Sequence, residues 1–275
     1  MTHRYPLTLL PGIVGLIVGV IVATAWPGDS DLVAAYRSLP EFEVWRVVMM
    51  IQFAVYTTVL VYLWIGASEL PMPRLPTRDG WVVAIFTALV VLLPMFMFNS
   101  EPLPLWAHEE RLFLVVTFGL GAILLLTNRL ARIHRAFGEA ATVESHVHLR
   151  HAAEELLTIA AVVVTLATLG SAVLQKSLEA LDAACKYYDA PLQVEHVVAY
   201  GAYFTLILFL FFAPLLAADR ASAVRIRTGL ADRGSSDDDA PEADLGLDAS
   251  LTEKIGSMFG VLSPLLGALV AQLVP

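Results

Sequence analysis

Apolar and polar positions along this chain separate into blocks. Residues 7–26, 44–66, 81–98, 112–126, 156–174 and 197–216 form six runs almost free of charge inside their limits. An α-helix of about 20 apolar residues crosses a hydrocarbon layer about 30 Å thick, so each run reads as a membrane span. Trp26, Trp45, Trp64, Trp81 and Trp106 fall at or near the ends of the runs, where an amphipathic ring prefers the headgroup boundary. The fourth run is short. No helix breaker follows it until Gly138, which predicts that its helix continues through Asn128, Arg129 and Leu130 into the aqueous side.

Charge between the runs sets the orientation. With a cytoplasmic N-terminus, 12 of the 17 Lys and Arg residues fall inside and 5 outside, as the positive-inside rule requires. The chain therefore reads as an all-α, polytopic integral membrane protein of a bacterial-type inner membrane, with about six spans and both termini cytoplasmic. Ala23-Thr24-Ala25 resembles a signal-peptidase site, but the apolar stretch before it is long for a signal region, so a retained first helix is expected.

Composition narrows the function classes. Hydrophobic residues make up 57% of the 275 and charged residues 16%, beyond what a soluble core uses. The one cysteine, Cys185, excludes an internal disulfide framework and multi-cysteine metal sites. A net charge of −9 argues against nucleic acid as an obligatory partner.

Residues 1–217 read as the six-helix domain. Its cytoplasmic loop, 128–155, is expected to be a helix, a turn near Gly138 and a second helix entering the fifth span. The outer loop, 175–195, carries an amphipathic pattern in Leu178, Leu181, Ala184 and Tyr188 that fits a short surface helix. Residues 218–250 read as a linker, basic and then acidic, with no large apolar side chain between Gly234 and Glu242. Ser250-Leu251-Thr252-Glu253 matches a capping box, so a C-terminal hydrophobic helix is expected over 251–275. It packs against other chains or lies on the membrane, a seventh span being the alternative. Its ridge of small residues, Gly256, Gly260, Gly267 and Ala271, is the expected oligomerisation contact.

Ionisable groups are scarce within the runs; Arg46, Glu154, Glu155, Glu195 and His196 stand at their ends. A charged midplane transport site and axial haem ligands are thereby disfavoured. His146, His148 and His151 with nearby acids form the one metal-like cluster, and His148, His151 and Glu155 share a helical face. A solvated surface is the simpler reading of that face, so no metal and no cofactor is assigned. Enzyme motifs are missing: His108-Glu109-Glu110-Arg111-Leu112 lacks the second histidine of a zinc-protease helix, and no Gly-x-Ser-x-Gly or phosphate loop occurs. An enzyme is the least favoured class.

Polar texture without fixed charge remains. Thr158, Ala161, Thr165, Thr168 and Ala172 recur every three to four residues in the fifth span, and Gln52 and Thr57 stand in the second. Such groups either pack helices closely or line a water-filled path. Gly15 and Gly19 form a Gly-x-x-x-Gly pair in the first span. Arg129, Arg132 and Arg135 below the fourth span, with Arg220, Arg225 and Arg227 below the sixth, are placed to meet lipid headgroups or an anionic cytoplasmic regulator. The outer segments carry 11 acids against 5 bases, an acidic vestibule that would concentrate cations. The resulting expectation is a homo-oligomeric, cation-permeable pore gated from the cytoplasm, with Thr158, Thr165, Thr168, Gln52 and Thr57 as wall and membrane lipids as partners. The alternatives are a small-solute carrier or an accessory subunit of a larger membrane complex, and then a membrane-embedded enzyme.

Overall fold

The computed structural model describes residues 5–24, 31–69, 106–184 and 194–231. Expectations for 81–98, for the acidic part of the linker and for the tail helix with Gly256, Gly260, Gly267 and Ala271 lie outside the described residues.

Among the described residues all regular structure is helical. In chain order the helices are α1 (Tyr5–Thr24), α2 (Asp31–Arg37), α3 (Pro40–Glu69), α4 (Trp106–Glu139), α5 (Val143–Ala184) and α6 (Val194–Ala231). Two described stretches, Pro40–Trp64 and Val143–Ala183, are long and apolar enough to cross a membrane, and Leu10–Val22 and Val197–Leu206 are shorter apolar stretches.

Helix α3 is the hub. Phe42, Trp45, Met49, Phe53, Tyr56 and Leu63 recur at three- and four-residue spacing and are buried as one seam. Helix α1 lies along α3, while α4 and α5 pack on other sides of it and α6 closes against α4 and α5. The α1–α3 approach depends on glycine. A Cβ on Gly15 would stand 2.6 Å from the Phe53 carbonyl oxygen and 2.8 Å from Thr57, so the Gly-x-x-x-Gly pair is a helix contact.

Polarity is partly reversed relative to a water-soluble bundle. Ile13, Val14, Leu16, Ile17, Val20 and Ile21 of α1 face outward, as do Val44, Val47, Ile51 and Trp64 of α3, whereas Gln52, Thr168, Gln175 and Ser177 are buried. An exposed apolar belt of this extent is stable against lipid or other chains and costly against water.

Helix α4 runs on to Glu139, as the absence of a breaker before Gly138 predicts. The following turn is closed by Thr142, whose Oγ1 accepts from the Ser145 amide at 3.2 Å and starts α5.

Two sequence expectations are corrected. Residues 175–184 are no separate surface helix but the continuation of α5, because nothing between Leu174 and Ala184 breaks the helix and Leu178 and Leu181 are buried. Tyr36 of α2 donates to or accepts from Ser177 Oγ at 2.7 Å, fastening α2 to this extension. Residues 218–231, read as the start of a flexible linker, are the last turns of α6. Alanine-rich sequence favours the helix there, and Ala223 and Ile226 bury against Val143.

Candidate functional site

Three groups of polar side chains stand out, and α5 contributes to each. The first lies between α3 and α5. Gln52 Nε2 donates to the Leu166 carbonyl at 2.7 Å, and Tyr56 reaches the Val163 carbonyl at 3.4 Å. Gly170 makes the space: a Cβ there would stand 2.3 Å from Gln52 Nε2. Thr168 is fully buried and donates to the Val164 carbonyl at 3.0 Å. Thr57 packs its hydroxyl against Gly15. Gln52, Thr57 and Thr168, three of the expected wall residues, are thus contact residues inside the protomer.

The second group is the face of α5 that the other described helices leave open. His148, His151, Glu155, Thr158 and Val162 are exposed in register and Thr165 is half-buried. The threonines expected on one face are therefore divided. At about 100° per residue Thr165 falls about 20° from Thr158, but Thr168 falls about 80° away and turns into the bundle. Thr158 bonds back to the Glu154 carbonyl at 3.0 Å. The Tyr62 hydroxyl donates to Glu155 Oε1 and marks the edge where α3 meets this stripe. Among the described residues no group of three His, Cys, Asp or Glu side chains is close enough to hold a metal ion. His148, His151 and Glu155 share the open face without converging.

The third group joins the ends of α4, α5 and α6 beside the Gly138 turn. His146 has no exposed surface; its Nδ1 is 3.3 Å from Ser222 Oγ and its Nε2 is 3.4 Å from Asp219 Oδ1. The Phe137 ring lies 5.5 Å from the imidazole, centroid to centroid. Burial pushes the Asp219 carboxyl above its ordinary range, with Glu154 adding to the rise and His146, Arg150 and Arg220 opposing it. Arg225 donates to the carbonyls of Phe137 at 2.6 Å and Gly138 at 2.8 Å. A guanidinium on the last carbonyls of α4 satisfies groups that a helix end leaves open and complements its dipole. Ser222 and His146 are closed to solvent, and the group locks three helices together.

The arginines separate by environment. Arg225 is occupied by α4, and Arg150 pairs with Glu154 at 3.3 Å. Arg129 donates to the Leu63 carbonyl at 3.4 Å, and Arg132 Nε donates to Asn128 Oδ1 at 3.0 Å. Arg135 is half-buried, while Arg220 and Arg227 are exposed.

The His146 lock escapes a reading of histidine clusters, which groups His146 with His148 and His151. Its signal is periodicity. His146 lies in register with the buried positions Leu149, Leu156, Ala160 and Val163, whereas His148 and His151 do not. The partners Asp219 and Ser222 come from a distant segment read as linker. Comparison of the chain with protein-family models, curated proteins and solved structures gives no match. The class that stands on the fold is therefore an all-helical protein with two described helices able to cross a membrane.

Proposed function

We propose that this chain is a six-span inner-membrane protein with both termini in the cytoplasm, whose copies assemble around a cation-permeable pore controlled from the cytoplasmic side. The observation that carries the reading is the open stripe of α5. Thr158 is exposed and Thr165 half-exposed within the apolar run, with His148, His151 and Glu155 continuing the same face below it, and hydroxyls at membrane depth suit water or another polar surface. A pore built this way runs between protomers, because Gln52 and Thr168 are already bonded to protein within one. Glu155 at the mouth favours cations.

Helix length supports control from the cytoplasm. Helices α5 and α6 have 42 and 38 residues, about 63 and 57 Å at 1.5 Å per residue, roughly twice the hydrocarbon thickness. They are continuous from the His146 lock into the apolar segments. A displacement at the lock would move the pore-facing stripe with it.

The test is cation flux through the purified full chain in liposomes. Potassium release that depends on the protein and falls in Glu155→Gln supports the pore. No flux from protein shown to be inserted and oligomeric would remove it. The bonding of Gln52 and Thr168 within the protomer favours a second reading, an accessory subunit of a larger complex, and co-purification of a stoichiometric partner with no flux is its signature.

A further inference from the structure

We infer that Arg132, with Arg129 and Asn128 beside it, holds a phosphate-type oxyanion at the foot of α3. The inference rests on the membrane placement proposed above and on no feature of the pore.

The guanidinium of Arg132 is only partly used by the protein. Its Nε is used by Asn128 Oδ1 at 3.0 Å, but its Nη1 is buried and has no hydrogen-bond partner. Arg225 fills the equivalent positions of its fork with two carbonyls of α4, and Arg150 meets the carboxylate of Glu154. A buried cationic donor is stable when an anion or strong acceptor faces it. Arg129 stands three residues earlier on the same face of α4, held toward α3 by its bond to the Leu63 carbonyl. Arg129 Nη2 is taken by that carbonyl, so the fork offered to a tetrahedral oxyanion is that of Arg132, with Arg129 adding positive charge one turn away along α4.

The location selects phosphate. Leu63 is at the end of the apolar stretch Pro40–Trp64, and basic side chains at that depth on the cytoplasmic side meet lipid phosphodiesters. A free phosphate group offers the same chemistry from solution. In either case the anion would tie the ends of α3 and α4 together.

The test uses the full chain and reads thermal unfolding midpoints in three settings: nanodiscs of phosphatidylcholine alone, nanodiscs containing phosphatidylglycerol, and detergent with added inorganic phosphate. Wild-type protein should be stabilised by phosphatidylglycerol or by phosphate, and Arg132→Gln should weaken the apparent affinity about tenfold. Stabilisation by the lipid alone assigns a headgroup, and stabilisation by phosphate alone assigns a soluble ligand. Arg37→Gln, which removes an exposed charge at the end of α2, should respond like wild type. Should Arg132→Gln not fold, Arg132→Lys keeps the charge without the fork and should still lose most of the effect. No stabilisation of wild type in any setting, or equal stabilisation of the Arg132 variants, overturns the site. Failure to enter nanodiscs would remove the membrane reading separately, since the detergent arm still decides the site.

Discussion

Gln52 and Gly170 are a matched pair. The amide reaches the Leu166 carbonyl only because position 170 lacks a Cβ, which would otherwise stand 2.3 Å from Nε2. The end of a glutamine side chain can move, so Gly170→Ala should displace the amide rather than separate the helices. The expected cost is about one buried hydrogen bond, roughly 1 kcal/mol. In a Gln52→Ala background the same substitution should cost little, and a double-mutant cycle of unfolding midpoints in detergent measures the difference. Asp219 gives a pH prediction. Its folded pKa is raised above the ordinary 3.8, first by burial. A raised pKa means that the folded state holds the proton more tightly than the unfolded state. The stability this contributes is full below 3.8 and is lost as pH rises through the folded value. Unfolding midpoints measured across that rise should fall in wild type relative to Asp219→Asn, which cannot ionise. Parallel pH profiles would show that Asp219 is not held in this environment.

At the scale of helices, α5 is asymmetric around its axis, and the asymmetry sorts its threonines. Thr168 is fully buried, so Thr168→Leu must force extra volume into a packed contact, at a cost of about 1–3 kcal/mol. Thr158 and Thr165 lie along the open stripe, where leucine should leave the protomer intact. In the pore reading, Thr165→Leu lowers cation flux while the oligomer keeps its mass, because an apolar side chain replaces a hydroxyl facing water. Unchanged flux in an intact Thr165→Leu protein would take the stripe out of the pore. Helix α6 carries a different lesson. Its final turns have the composition of a linker to the eye, with Arg220, Arg225 and Arg227, yet alanine and the contacts of Asp219, Ser222 and Ile226 keep them helical.

Assembly belongs to the whole molecule. The exposed apolar belt on α1 and α3 identifies surfaces stable against lipid or protein, and in the pore reading the open stripe of α5 faces water or another protomer. We propose that the tail sequence supplies a contact of its own. Gly256, Gly260, Gly267 and Ala271 place a small residue at most turns of the expected helix 251–275, and glycines in a helix interior cost about 1 kcal/mol each unless close packing offsets them. Replacing Gly260 and Gly267 together by Leu should lower the particle mass of the full chain in nanodiscs. An oligomer of unchanged mass would mean that the tail ridge is not the contact.

The hydrophobic blocks by themselves determined that this chain is helical and where its longest apolar stretches lie, because each block has to bury or cover its surface whatever its neighbours are. The glycine spacing of α1 marked a close contact, whereas the buried seam of α3 came only with the packing of α1, α4 and α5 around it. Which side of α5 faces in was not determined by its threonines, since hydroxyls recurring every three to four residues drift around the axis and suit both environments. Only the packing of α3 and α6 against α5 decided it, turning Thr168 inward and leaving Thr158 open. The same holds for the histidines. His146 and His148 differ by two positions in sequence, but helical geometry places them on different faces, and the arrival of Asp219 and Ser222 made one of them the centre of a lock.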